Sequence, residues 1–185
     1  MSSQVAVLLA PGFEDIEAIT VIDVLRRAGV TVIVAGVDCD SEGMVCSSHD
    51  LCVQTDCLLE DLDPNDLTMT VFPGGLPGAT NLAASEEACV LARAVCERGG
   101  WATAICAAPI ALSAAGLLNG VEYTCYPSFE KKIPEGKYTG ARVQICGNII
   151  TACGPGASLE FAFALLNVLG LESATEQLKK GMLIG

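Results

Sequence analysis

Hydrophobic positions fall into short continuous runs separated by longer amphipathic stretches, and this alternation predicts strands that alternate with helices. Apolar runs of roughly 4–8 residues are typical of strands buried on both faces, and apolar residues at helical spacing predict amphipathic helices. The pattern predicts strands at residues 5–10, 30–35, 68–72, 101–105 and 121–125, and helices at residues 14–28, 85–98, 108–117, 158–169 and 172–180. The first strand, helix and strand form a βαβ unit, so a right-handed crossover and a parallel sheet are expected.

Two stretches depart from this parallel order. Residues 45–53 alternate between apolar and polar positions within a turn-rich region, which predicts a small antiparallel excursion. Residues 142–146 and 149–152 flank Gly147-Asn148, which predicts a hairpin. No linker, repeat or low-complexity segment divides the 185 residues. We therefore expect a single α/β domain over residues 1–185, a doubly wound sandwich with a mostly parallel sheet.

Composition and charge exclude several classes of partner. Although 51% of the residues are hydrophobic, no apolar run approaches the ~18 residues that span a bilayer. The N-terminal residues lack the basic region and cleavage site of a signal peptide. The net charge is −12 and the ten Lys and Arg residues are scattered, which argues against nucleic acid or an anionic membrane as a partner. The expected location is the cytoplasm.

The ten cysteines raise the question of disulfides or zinc. No C-x-x-C pair occurs, so a structural zinc site is disfavoured. The single histidine, His49, lies in the polar stretch, and this also disfavours a metal site. We expect the cysteines to be reduced and mostly to fill core positions, with neither a metal nor a cofactor.

Cys106 stands where the hydrophobic pattern changes from strand to helix. The run before it is small and apolar, and the residues after it are Ala107-Ala108-Pro109. Proline is well tolerated in the first turn of a helix, so Cys106 is predicted to lie at a strand-to-helix corner. Unpaired N–H groups and the helix dipole at such a corner favour a thiolate. The alternative is that Cys106 is one more small core residue.

Four loops are predicted to share the carboxyl edge of the sheet, where ligands bind in doubly wound folds. They are residues 11–14, residues 73–75, the Cys106 corner and residues 154–156. The backbone N–H groups of Gly74, Gly75 and Ala107 are candidates for an oxyanion hole. Tyr126 and Pro155 are predicted to line the same pocket.

Glu17 is the candidate carboxyl group beside the thiol. Of the three acids near the start of the first helix, only Glu17 is set between apolar neighbours. A carboxyl group desolvated beside a thiolate would stay protonated and donate a hydrogen bond to sulfur. Alternatively, Glu14, Asp15 and Glu17 only complement the helix N-terminus. His49 is the other candidate base for thiol catalysis, although no further chemical signal surrounds it.

These motifs resemble the ThiJ/PfpI superfamily and, within it, the branch of the Parkinson-disease protein deglycase and its bacterial relatives. The matching stretches are residues 9–17, 23–29, 72–75, 104–109 and 154–161, and they include G-F-E-D-I-E and A-I-C-A-A-P. The resemblance implies a flavodoxin-like homodimer in which Cys106 is a reactive thiolate. It also implies that protonated Glu17 donates a hydrogen bond to Cys106 and that the Gly75 and Ala107 amides complete an anion site.

The resemblance implies two classes of function. One is a cofactor-free glyoxalase that converts methylglyoxal or glyoxal to a hydroxy acid, or a deglycase that releases early glycation adducts from protein side chains. The other is an oxidation sensor and chaperone in which the cysteine becomes a sulfinate. An older family label, thiazole monophosphate biosynthesis, is the less favoured interpretation.

Two positions depart from relatives in this superfamily. Ala107 stands where the protease-like branch has a histidine, so peptidase activity is not expected. Tyr126 stands where the Parkinson-disease protein has a histidine, so a general-base role cannot be transferred to it. The expected homodimer is also supported by apolar Ile19 and Ile22 on the first helix, with Arg27 near the two-fold axis.

Overall fold

The computed structural model describes residues 4–39 and 42–184. Its strands are β1 (Gln4–Leu9), β2 (Thr31–Gly36), β3 (Met44–Cys46), β4 (Cys52–Gln54), β5 (Cys57–Leu58), β6 (Met69–Phe72), β7 (Trp101–Ile105), β8 (Glu122–Tyr123), β9 (Lys137–Tyr138), β10 (Val143–Cys146) and β11 (Ile149–Ala152). Its α-helices are α1 (Asp15–Arg27), α2 (Gly78–Ala84), α3 (Glu86–Glu97), α4 (Pro109–Ala114), α5 (Ser158–Val168) and α6 (Glu172–Gly181). Short 3-10 helices cover Leu59–Asp61, Phe129–Lys132 and Pro155–Ala157.

One seven-stranded sheet organises the molecule, in the order β10-β11-β7-β6-β1-β2-β5. All neighbouring strands in it are parallel except β10 and β11, which form the predicted antiparallel hairpin. Strands β6 and β11 are buried along their whole length, as expected for strands covered on both faces. The predicted doubly wound α/β fold, of the flavodoxin-like type, is confirmed.

The helices pack as two groups around this sheet. Helix α1 packs against α5, and α6 packs on α5. Helix α2 packs against α3 and α4, while α3 also contacts β6 and β7. Because parallel strands point the same way, the carboxyl ends of β1, β6 and β7 bring their following loops to one edge. That edge is where the candidate site lies.

Two predicted elements are shorter in the structure. The helix predicted at residues 108–117 ends at Ala114, because Gly116 adopts a φ of 74° and its N–H donates to Ser113 O at 2.8 Å. The strand predicted at residues 121–125 is reduced to β8, which pairs with β9 outside the main sheet. Beyond it, Thr124 N donates to the Thr151 hydroxyl at 2.9 Å, so the backbone leaves the strand ladder. Helix α2 was not predicted.

The antiparallel excursion predicted at residues 45–53 is confirmed as the hairpin of β3 and β4.

The expectation that every cysteine is reduced is wrong, because Cys46 and Cys52 form a disulfide. These two residues are direct partners in the hairpin register, with Cα atoms 3.9 Å apart. None of the other eight cysteines, all of which lie in the described ranges, forms a disulfide.

Within the described ranges, no helix has both the length and the apolar character that crossing a membrane requires.

Candidate active site

Cys106 occupies a sharp turn directly after β7. Its φ is 64°, in the left-handed region that residues other than glycine rarely adopt. Both of its backbone groups are held: Cys106 N donates to Ala152 O at 2.9 Å, and Cys106 O accepts from Tyr126 N at 2.8 Å. Strained conformations of this kind persist where surrounding contacts fix them, and they concentrate at functional sites. The predicted strand-to-helix corner is confirmed, with the side chain 8% exposed.

Glu17 approaches this corner from the first turn of α1. Its side chain is fully buried, whereas Glu14, the N-cap of α1, accepts a hydrogen bond from Glu17 N at 2.8 Å. The Glu17 Oε2 atom accepts from Gly74 N at 2.8 Å. In the described part of the chain, Glu17 Oε1 is buried with no hydrogen-bond partner of ordinary geometry. The carboxyl group also interacts with the Cys106 thiol, so the predicted pair is brought together.

Glycine at positions 74 and 75 allows the backbone to approach the thiol closely. A Cβ atom on Gly74 would lie 2.7 Å from Cys106 Cβ, which is too close for any side chain. Gly75 has a φ of 88°, a conformation that glycine adopts readily. The Gly74 amide donates to Glu17 rather than facing a substrate, which differs from the predicted oxyanion role. The Gly75 and Ala107 amides donate to the Cys106 sulfur.

Burial and mutual repulsion control the protonation of the pair. Burial raises the pKa of Glu17 to about 7, although hydrogen bonds with Cys106 and Gly74 act in the opposite direction. Burial and the Glu17 carboxylate raise the pKa of the Cys106 thiol, and the Ala107 and Gly75 amides oppose this rise. The sequence predicted a lowered thiol pKa from the helix dipole. The structure instead raises the pKa of the thiol while Glu17 is ionised, and α4, with only six residues, supplies a short helix dipole. The two groups therefore act as a coupled pair that gives up one proton near neutral pH and retains the other.

Tyr126 and Pro155 lie on the loops beside the corner. The Tyr126 ring lies against Gly154, where an added Cβ would be 3.3 Å from the ring, and makes an edge contact with Phe129 at a centroid distance of 6.4 Å. Tyr126 is 47% exposed, which fits a pocket wall. Pro155 begins the 3-10 helix that follows β11 and leads into α5.

His49 forms its ion pair with Asp15 and, among the described residues, makes no hydrogen bond with the Cys106 thiol. Its Nδ1 atom lies 2.7 Å from Asp15 Oδ2, and this hydrogen bond raises the pKa of His49. Ligand atoms of His49, Asp15 and Glu14 lie within 4.8 Å of one another, the only such group of potential metal ligands in the described ranges. The His49–Asp15 ion pair and the capping role of Glu14 account for this cluster without an ion.

Comparison with known proteins identifies the family. The model of the DJ-1/PfpI family matches residues 3–168. The chain belongs to this family. Protein dj-1beta of Drosophila melanogaster is 36% identical over 186 residues, which cover 100% of this chain and 98% of that protein. Glutathione-independent glyoxalase DJR-1.2 of Caenorhabditis elegans is 34% identical over 177 residues, covering 94% and 92%.

A solved structure agrees with this assignment. The crystal structure of Drosophila melanogaster DJ-1beta has a TM-score of 0.94 to this chain, at 35% identity and over the full length of both chains. The predicted resemblance to the ThiJ/PfpI superfamily is thus confirmed.

The raised pKa of Glu17 predicts a pH-dependent loss of stability. In the folded protein the pair of Glu17 and Cys106 gives up its first proton near pH 7, against an ordinary value of 4.5 for the carboxyl group, so the folded state binds an extra proton between these pH values. Stability is fully present below about pH 4.5 and falls by about 3 kcal/mol as the pH rises through 7. We expect Glu17→Gln to remove this fall, as measured by urea unfolding across the range. Equal pH dependence in both proteins would contradict the raised pKa.

Proposed function

We propose that this protein is a cysteine-dependent, cofactor-free glyoxalase or deglycase that acts on 2-oxoaldehydes or their early protein adducts. The observation that carries the proposal is the buried contact of Glu17 with Cys106, with the Gly75 and Ala107 amides donating to the sulfur. The glyoxalase-named relative of Caenorhabditis elegans supports the same substrate class.

In the proposed reactive form, the pair of Glu17 and Cys106 has lost one of its two protons, and the other proton is on Glu17. Proton transfer from the thiol to the carboxylate removes the carboxylate charge that repels a thiolate. The protonated carboxyl group then becomes a donor to sulfur, beside the Gly75 and Ala107 amides. Three donors around one sulfur stabilise the thiolate despite its burial, because a buried charge requires hydrogen-bonding partners. Such a thiolate is an effective nucleophile.

The reaction begins when the Cys106 thiolate adds to the aldehyde carbon of the 2-oxoaldehyde. The carbonyl π bond breaks as the C–S bond forms, and the resulting oxyanion is stabilised by the Gly75 and Ala107 amides. Protonated Glu17 gives its proton to this oxyanion, and the resulting carboxylate takes the proton from the former aldehyde carbon. It returns that proton to the neighbouring carbon while the hydroxyl proton passes to the oxygen of that carbon, which leaves a thioester. Water cleaves the thioester, releases a 2-hydroxy acid and restores the thiol. The aldehyde carbon is oxidised and its neighbour reduced, so no external redox partner is needed.

A deglycase activity would use the same chemistry on the aldehyde that an early protein adduct releases when it reverts to the free side chain. Early adducts of 2-oxoaldehydes with Cys, Lys or Arg side chains are in equilibrium with the aldehyde form that the thiolate attacks. Tyr126 is exposed and Pro155 is half-buried, so the loops beside Cys106 reach the protein surface. That position fits substrates attached to other proteins.

The proposal predicts that methylglyoxal is converted to lactate without glutathione by the wild type and not by Cys106→Ser. The hydroxyl group of serine does not ionise near neutral pH, so the first bond does not form. Enzymatic measurement of lactate after incubation of purified protein with methylglyoxal tests this. Equal lactate in both samples would overturn the proposal.

Two further variants assign the proton route in the same assay. Glu17→Gln should lose turnover, because an amide cannot carry the proton. Tyr126→Phe, the matched pocket-wall control, should keep most of it, because a phenol has a pKa near 10 and is not a base at neutral pH. A loss of ~10²-fold or more in Tyr126→Phe would place the phenol in the proton route.

A second function, oxidation sensing coupled to chaperone activity, is favoured by the same three donors. A sulfinate has two oxygens that accept hydrogen bonds, and Glu17, Gly75 and Ala107 provide donors around the sulfur. We expect mild peroxide to add two oxygens to Cys106 and then to stop, as read by tryptic mass mapping. A disulfide of Cys106 as the main product would contradict this function.

Assembly as a homodimer is the remaining part of the proposal. Ile16 and Ile19 are 55% and 39% exposed on α1, an apolar pair that a partner subunit would cover. Ile22, also expected at the interface, is 8% exposed and belongs to the core of this chain. Arg27 forms a 2.6 Å ion pair with Asp23 on the same helix. Light scattering should return twice the monomer mass of 19.1 kDa, and a monomer mass at micromolar concentration would refute the dimer.

A further inference from the structure

The Cys46–Cys52 disulfide lies on the protein surface. It closes the hairpin of β3 and β4, and both cysteines are exposed. Because no other cysteine forms a disulfide, it is the sole disulfide cross-link among residues 4–39 and 42–184. An exposed disulfide is open to attack by a thiolate from solvent, which is the first step of thiol–disulfide exchange.

The disulfide-closed hairpin holds the loop that precedes α1. Besides the His49–Asp15 ion pair, three hydrogen bonds join the hairpin to this loop and to the first residue of α1, with the donor named first: Gly12 N to Cys46 O at 2.8 Å, Ser48 N to Phe13 O at 2.8 Å, and Ser47 Oγ to Asp15 Oδ1 at 2.6 Å. One of these bonds is made by a cysteine of the disulfide, and the other two are made by the segment that the disulfide closes.

The same loop positions the acid of the candidate active site. Glu14 N donates to Gly74 O at 3.0 Å, and the Glu14 carboxylate accepts from Glu17 N at 2.8 Å. Gly74 N in turn donates to Glu17 Oε2 at 2.8 Å. Together with the backbone of residues 12–14 and of Gly74, these hydrogen bonds connect the disulfide hairpin to the carboxyl group beside Cys106.

We propose that Cys46–Cys52 is a thiol–disulfide exchange site whose oxidation state sets the alignment of Glu17 against Cys106. A low-molecular-weight dithiol reduces it: the S–S bond breaks, two thiols form, and the dithiol becomes its own disulfide. Strands β3 and β4 have three residues each, and a two-stranded hairpin of this size is marginal without further support. Loss of the cross-link lets the hairpin open locally and releases the loop that it holds.

The expected consequence is a less reactive Cys106 in the dithiol-reduced protein. With Glu17 less firmly placed, the donor to sulfur is weakened and the pH midpoint of Cys106 alkylation rises by about half to one pH unit. At about pH 6, below the midpoint, the alkylation rate then falls roughly three- to tenfold, since one pKa unit corresponds to a tenfold change in the thiolate population there. A hairpin that only stabilises the fold would leave the pH midpoint unchanged.

The test compares the wild type before and after treatment with dithiothreitol, which is removed before iodoacetamide is added. Mass spectrometry confirms the state of Cys46 and Cys52 and follows modification of Cys106 over a range of pH. The readout is alkylation rather than turnover, so it is independent of whether the proposed enzyme activity is correct. Equal rates and equal pH midpoints in the two states would overturn the proposal.

Two variants complete the test. The double variant Cys46→Ser with Cys52→Ser should behave as the reduced wild type and should not respond to dithiothreitol. Cys146→Ser removes a half-buried free thiol on β10 and should behave as the oxidised wild type. If Cys146→Ser lost Cys106 reactivity to the same extent, the effect would not belong to the disulfide and the proposal would be wrong.

Discussion

Two ionisable side chains, Glu17 and Cys106, are buried against each other. Ionising both would place two negative charges side by side in a buried site, at a high cost in free energy. The surrounding structure is arranged around this constraint. The left-handed turn places Cys106 at the end of β7, the absence of a side chain on Gly74 lets the loops meet, and the cap at Glu14 fixes the start of α1. Each of these features helps to bring one of the two groups to the other.

One retained proton explains why the same site suits two kinds of chemistry. With the proton on Glu17, the sulfur is a nucleophile supported by three donors. In the proposed reactions, this sulfur attacks either an aldehyde carbon or a peroxide oxygen. The difference lies in the product, because the thioester is hydrolysed and returns the thiol, whereas sulfinate oxygens keep the donors occupied. The proposed glyoxalase activity and the proposed oxidation sensing would thus be two outcomes of one arrangement.

The sequence predicted those parts of the structure that depend on local pattern. Strands β1, β2, β6 and β7 are continuous apolar runs, and the change of pattern at Cys106 marks the corner. Glu17 was recognisable because its neighbours are apolar. The role of the Gly74 amide and the Cys46–Cys52 disulfide were not predictable in this way, because each depends on two segments that meet only in the fold. The strand expected at residues 121–125 was shortened by a side-chain hydrogen bond to Thr151, which is also a tertiary contact.

The location of the retained proton is the central claim, and the ultraviolet absorbance of the thiolate tests it most directly. The difference between the wild type and Cys106→Ser isolates the Cys106 signal, and it can be followed as the pH is raised. If Glu17 holds the proton, the thiolate signal appears with a midpoint near pH 7, where the pair gives up its first proton. If the signal appears only above about pH 9, beyond the ordinary range of a cysteine, the proton lies on sulfur and the account is contradicted.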